Sequence, residues 1–200
     1  MSANLYWYVS RGSGIVAYLL LTAAVCLGVA LSRRWRPARV PRLLVDEAHR
    51  WLALVFYAFV AVHVSTIYLD SFSHFSVVDV LVPFASDYRP FWLGLGIIAL
   101  ELAVAIGVSV WVRRWIGYRA WHILHGLNYV VFSTSLLHGL WLGSDSGTAW
   151  AVALYGGSVV AVLAATAWRL ADLTTWRQPA VTTAVVGGGL VLTLALASWS

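Results

Sequence analysis

The residues in this chain best able to do chemistry are four histidines at matched intervals inside apolar sequence. His49 and His63 lie fourteen residues apart in HRWLALVFYAFVAVH, and His125 and His138 thirteen apart in HGLNYVVFSTSLLH. At about 1.5 Å of rise per residue, either interval separates two imidazoles by on the order of 20 Å along a helix. Two such helices each offer one histidine near either face of a bilayer, with room for two cofactors stacked across it. Pairing by depth joins His49 to His125 on one side and His63 to His138 on the other. A planar metal centre that takes one imidazole from each of two neighbouring helices is a haem, b-type in the absence of thiol attachment. A closed zinc site wants four ligands, and no third or fourth donor is evident at either level. The competing reading is structural: the histidines hydrogen-bond across helices and hold nothing.

Placing such pairs calls for membrane helices, and the composition supplies them. The 200 residues are 61% hydrophobic, 14% aromatic and 10% charged, whereas a soluble domain is about 25% charged. All thirteen basic residues are arginine, and against eight acids they leave a net charge of +5. Such an excess can serve nucleic acid, but its placement here reads as membrane topology, and no nucleic-acid partner is expected. The single cysteine, Cys26, excludes a disulfide framework, an iron–sulfur cluster and covalent haem attachment through C-x-x-C-H. It reads as a small buried hydrophobe. Only Glu47 and Glu101 are glutamate, too few for a bundle-type di-iron site.

Six apolar stretches occur at about 13–31, 50–69, 91–112, 120–141, 149–168 and 180–198, each near the roughly 20 residues a crossing needs. They predict an all-α integral membrane protein, a six-helix bundle forming a single transmembrane domain over 1–200, with its haem-binding core on the second and fourth helices. The first stretch is followed, not preceded, by arginines, at Arg33, Arg34, Arg36, Arg39 and Arg42. It is therefore read as a retained helix and not as a signal peptide. The connections after the first, third and fifth helices hold eleven arginines, and the other side only Arg11 and Arg89. The positive-inside rule puts the eleven in the cytoplasm and both termini, the segment 70–90 and the GSDSG loop at 143–147 outside. Within that outer segment, FSVVDVLVPF reads as a short interfacial helix broken at Pro83, a candidate lid. Tyr6, Trp7, Trp115 and Trp141 near span ends read as interface anchors. Arginine without lysine, with abundant alanine and valine, points to a bacterial plasma (inner) membrane.

One geometric tension accompanies the histidine spacing. On a straight helix, fourteen residues return His63 to within about 40° of His49, but thirteen leave His138 roughly 140° from His125. The fourth helix is thus expected to be tilted or locally distorted, with the Ser133, Thr134, Ser135 run a candidate place for it, or else its two histidines reach their cofactors from different sides.

On these residues the chain resembles the ferric reductase-like transmembrane domain shared by NADPH oxidases, ferric reductases and bacterial MsrQ-type haem membrane subunits. The resemblance covers about residues 7–145. It is carried by the WYVSRGSG opening, the histidine spacings, the RRWIGYRAWHILHGLNY entry to the fourth helix and the HGLW at its exit. It implies that His49 and His125 ligate the iron of an inner haem b, and His63 and His138 that of an outer one. The oxidases and many reductases continue into a cytoplasmic FAD and NADPH domain, and this chain is expected to have no flavin or NADPH site. Electrons then come from a separate donor, a flavoprotein or a quinol, and leave to an outer-side acceptor or reductase.

Further candidates surround the four histidines. Arg11, at the outer mouth of the first helix, is a candidate haem-propionate partner, as are Arg50 and Arg119 for the inner haem. Their alternative role is topology and headgroup contact. Phe56, Tyr57, Phe59, Tyr129 and Phe132 fall between the two levels, Phe132 being the candidate inter-haem aromatic; packing is their simpler role. His122 reads as surface-facing, His74 as an ordinary loop residue, and Glu101 as a neutral or paired intramembrane acid. No catalytic residue is expected, because histidine on both sides of each iron leaves no open position. The function expected is di-haem electron transfer across the membrane. Its alternatives are a quinol-linked di-haem anchor of a larger oxidoreductase and a haem-free transporter or scaffold.

Overall fold

A computed structural model of the protein describes residues 3–33, 35, 37, 40–70 and 75–173. The sixth expected stretch, 180–198, lies outside the described residues, as do His74, Arg34, Arg36, Arg39 and Arg177. The described residues form α1 (Ala3–Ser32), α2 (Arg42–Leu69), the short α3 (Val77–Leu81), α4 (Pro90–Gly126), α5 (Asn128–Leu142) and α6 (Ala149–Leu173), with no strand among them.

Helix suits these sequences because a backbone in hydrocarbon must satisfy its own polar groups. The few hydroxyls follow the same logic and bond back to carbonyls of their own helix. Ser13 donates to Val9, Thr22 to Tyr18, Thr66 to Val62, Ser109 to Ile106, Thr134 to Val130 and Ser158 to Leu154, all within 2.6–2.9 Å. Prolines punctuate the ends. Pro41 precedes the first residue of α2, α3 stops at Leu81 just before Pro83, and Pro90 opens α4, where its missing N–H has no helical partner to lose.

Four helical stretches are long and apolar enough to cross a bilayer, Leu5–Ser32, Arg42–Leu69, Pro90–Leu142 and Ala149–Ala171. The third has 53 residues, about 80 Å if straight, against a hydrocarbon core of about 30 Å. It is not straight. Gly117 leaves helical geometry at φ 81°, ψ 160°, and the helix is interrupted again at Leu127 between α4 and α5. Its two ends meet, since Trp92 stacks on Trp141 with ring centroids 4.6 Å apart and Arg89 Nη1 donates to the Trp141 carbonyl at 2.6 Å. The expected stretches 91–112 and 120–141 are therefore the two arms of one hairpin.

The chain divides into two compact units. In the first, α1 is the central helix and packs on both α2 and α6. Its Ala17, Tyr18, Leu21, Ala24, Val25 and Val29 are buried, and its small residues let neighbouring backbones come close. At one end of α1, Arg11 forms an ion pair with Asp145, just ahead of α6. At the other, Arg33 donates to the Trp168 carbonyl at 2.6 Å and covers the Trp168 ring at 4.2 Å. Start meets start and end meets end, so α1 and α6 run parallel. In the second unit, Leu95, Ala99, Ala103 and Ile106 of α4 are buried, and so are Val131, Phe132, Leu136 and Leu137 of α5, the helix it packs against. Residues such as Trp51, Trp111 and Val160 point outward, Trp111 at 84% exposure, as expected where lipid is the solvent.

Candidate functional site

The two histidines of α2 face the same neighbour, as their fourteen-residue spacing requires. His63 lies against Gly14 of α1, and His49 against Gly28. The Gly14 to Gly28 interval is also fourteen residues, so the antiparallel helices meet at two matched levels. A methyl group on Gly14 would stand 2.9 Å from His63 Nδ1, and one on Gly28 3.2 Å from His49 Cε1. Each imidazole thus occupies space that any side chain would fill. His63 Nδ1 donates to the Ser10 carbonyl at 2.8 Å, with the Ser10 hydroxyl 3.4 Å away. His49 interacts with the Ala24 backbone, and its Cε1 edge is the part of the ring nearest Gly28.

His138 on α5 repeats this arrangement against α4. Its Nδ1 donates to the Trp92 carbonyl at 3.0 Å. A methyl on Gly96 would lie 2.4 Å from that nitrogen. Ser10 and Gly14, Ala24 and Gly28, and Trp92 and Gly96 are each four residues apart.

Backbone contact at Nδ1 decides what these rings can do. A neutral imidazole with its proton on Nδ1 carries its lone pair on Nε2, and the carbonyl fixes that tautomer and raises the basicity of the free nitrogen. His63 and His138 therefore have the donor chemistry that a haem iron takes from a histidine. The notches at Gly14 and Gly96 hold the ring edge at a defined position. On donor chemistry and cradle shape, the residues fit the group that the spacing calls for.

His125 is held differently. It sits at the last turn of α4, stacked on Trp121 with ring centroids 5.2 Å apart and 27° between planes. Trp121 in turn lies beneath the Arg113 guanidinium at 5.1 Å. Past His125 the helix breaks: Leu127 N–H bonds to the Leu124 carbonyl at 3.0 Å in a tighter turn. The Asn128 side chain donates to the His125 carbonyl at 2.8 Å. This break lies between His125 and His138, so the roughly 140° of a straight helix does not apply to them. The expected distortion exists, but not at the Ser133, Thr134, Ser135 run, which falls within the uninterrupted α5. A hydroxyl returning to the i−4 carbonyl, as Thr134 does to Val130, leaves the helix intact. A side-chain amide capturing a carbonyl near Gly126 accompanies the break.

The remaining candidates fall into place around these rings. Arg11 is engaged by Asp145 and lies 5.0 Å over the Trp7 ring, and the Asp145 contact was not foreseen. Phe132 is 5% exposed in the core of α5. Phe56 is buried and meets Tyr57 edge-on at 5.1 Å. His122 is exposed beside Tyr118, Glu101 lies on an exposed face of α4, and Arg50 pairs with Glu47 at 2.7 Å. Cys26 is half-buried. Reading the sequence for ligands overlooked Gly14, Gly28 and Gly96. The fourteen-residue glycine interval of α1, equal to that of the α2 histidines, was the available signal.

Compared with known proteins, the chain matches one family model, described as ferric reductase like transmembrane component, over residues 13–136. That span takes in α2 whole and ends two residues before His138. No curated protein and no solved structure matches the chain.

Proposed function

The chain belongs to the family of ferric reductase like transmembrane components, and from that premise we propose that it is a di-haem b protein carrying electrons across a bacterial plasma membrane. The family points to a membrane electron-transfer role. The finer reading rests above all on one observation, the Nδ1 bonds of His63 and His138 to the carbonyls of Ser10 and Trp92. When bound, b-type haem supplies a one-electron iron couple. The protein's own residues do the rest. His49 and His125 would hold the inner group and His63 and His138 the outer one, the latter two through Nε2. Held by such pairs, the group would supply outer-sphere one-electron transfer.

A six-span topology goes with this reading. Because α6 runs parallel to α1, and α2 antiparallel to it, an even number of crossings must separate α2 from α6. The hairpin of α4 and α5 supplies two. The sixth expected stretch, 180–198, lies outside the described residues, and the arginine-rich connections face the cytoplasm in this reading. The donor is a separate cytoplasmic-side flavoprotein or quinol, and the acceptor lies outside.

A dithionite-reduced-minus-oxidised spectrum with haem quantitation tests the proposal, on the purified protein and on four variants, His49→Ala, His63→Ala, His125→Ala and His138→Ala. About two b haems per chain, reduced in number by any of the four substitutions, is the expected result. A colourless protein from cells with ample haem would overturn it and leave histidines that only tie helices together. Reduction by a quinol alone, without any flavoprotein, would identify the donor class.

A further inference from the structure

Three glycines face an imidazole from the neighbouring helix in a way the ligand assignment leaves unexplained, Gly14 facing His63, Gly28 facing His49 and Gly96 facing His138. At two of them a carbonyl at position i bonds the histidine and position i+4 is the glycine. The pairs are Ser10 and Gly14 for His63, and Trp92 and Gly96 for His138. In a helix, the i carbonyl already accepts the i+4 N–H and keeps one lone pair. The Cα–Cβ bond at i+4 tilts toward the helix N-terminus, so a side chain there leans back over that carbonyl. Glycine uncovers it, and the imidazole edge enters the gap.

We propose that Gly14 and Gly96 are positioning residues that expose a backbone carbonyl to the Nδ1 edge of His63 and His138, that Gly28 gives the edge of the His49 ring its space, and that the three so set ring orientation and ligand strength. The inference rests on the di-haem reading, since it concerns what the Nε2 side of each ring does. Other glycines of these helices lack such neighbours. Gly12, on the same helix, and Gly156, on α6, have nothing within 4 Å of an added methyl. The position thirteen residues beyond Gly96 is Ser109, whose hydroxyl bonds to Ile106, and His125 rests on Trp121 instead. A carbonyl beside a glycine thus holds two rings, and a glycine notch receives the edge of a third.

The distances rank the effects. An added methyl would approach the ring to 2.4 Å at Gly96, 2.9 Å at Gly14 and 3.2 Å at Gly28. All three need the ring or helix to move, and Gly96 needs the most. Gly14 and Gly96 act on the two histidines assigned to the outer haem, and Gly28 on one assigned to the inner.

The test uses the full-length protein with its haem, comparing Gly14→Ala, Gly28→Ala and Gly96→Ala with Gly12→Ala and Gly156→Ala by low-spin EPR, haem content and redox titration. Gly96→Ala and Gly14→Ala should shift or abolish the same one of the two haem signals. Gly28→Ala should shift the other, least of the three, and both controls should keep wild-type signals. Wild-type spectra and midpoints in all three variants would overturn the inference while leaving the di-haem reading intact. A wild-type protein without haem would sink that reading first. Should a variant fail to accumulate, HYSCORE on wild type with 15N-histidine decides the matter. Protonated, hydrogen-bonded remote nitrogens on the ligating rings support the carbonyl contacts, and their absence overturns them.

Discussion

At the scale of single residues, the chemistry of this protein depends on which nitrogen of an imidazole is occupied. A neutral histidine in hydrocarbon must satisfy one N–H, and a backbone carbonyl is the least costly partner because it adds no charge. That partner leaves the opposite nitrogen for a metal. Arg11 belongs to the same scale. Its side chain is 31% exposed and that of Asp145 22%, so their pairing is screened only in part. Arg11→Ala and Asp145→Asn are each expected to lower thermal stability modestly, with a coupling energy of about 1 kcal/mol in a double-mutant cycle. If Arg11 also holds a propionate, Arg11→Ala alone will shift the outer haem's midpoint while Asp145→Asn will not. Equal, small midpoint changes in both variants would assign Arg11 to the ion pair only.

At the scale of elements, two interruptions shape the hairpin, and they have different causes. Gly117 occupies φ 81°, ψ 160°, a region essentially reserved for glycine, where another residue costs about 1–3 kcal/mol. Gly117→Ala is therefore expected to destabilise the protein by that amount in a thermal or denaturant melt, even though no atom lies within 4 Å of an added methyl. Gly126, also with open space around it, lies in helix. Gly126→Ala should be neutral or stabilising by up to about 1 kcal/mol. Equal losses in the two variants would show that the cost is steric and not conformational. The second interruption, at Leu127, is accompanied by Asn128 holding the His125 carbonyl at 2.8 Å. Asn128→Ala should cost about 1 kcal/mol and loosen the last turn carrying His125. The readout is a changed inner-haem EPR signal beside an unchanged outer one.

At the scale of the whole molecule, the arginine distribution makes a prediction independent of any cofactor. Reporter fusions or cysteine labelling should place 113–119 in the cytoplasm and 143–147, with both termini, outside. A labelled, externally accessible position in 113–119 would invert the topology and with it the direction assigned to electron flow. The parallel course of α1 and α6 constrains the same question from inside the fold, because it allows only an even number of crossings between α2 and α6.

The sequence by itself determined the solvent, the helical class and the family, and it proposed the four histidines. Each of these is written in local composition or in spacing along one helix, where a fixed rise and turn convert residue number into position. It also called either for a distortion between His125 and His138 or for ligands reaching from different sides, because thirteen residues do not close on one face. Where that distortion falls was decided by competition for carbonyls among Leu124, His125, Leu127 and Asn128, which residue spacing does not rank. The serine and threonine run was the wrong place for that reason. The glycine notches were legible only as an interval, fourteen residues in α1 against fourteen in α2. That the two intervals meet, level against level, and that Arg11 finds Asp145, depends on which helices become neighbours. Neighbour choice is a property of packing between segments far apart in the chain, and only the tertiary structure decided it.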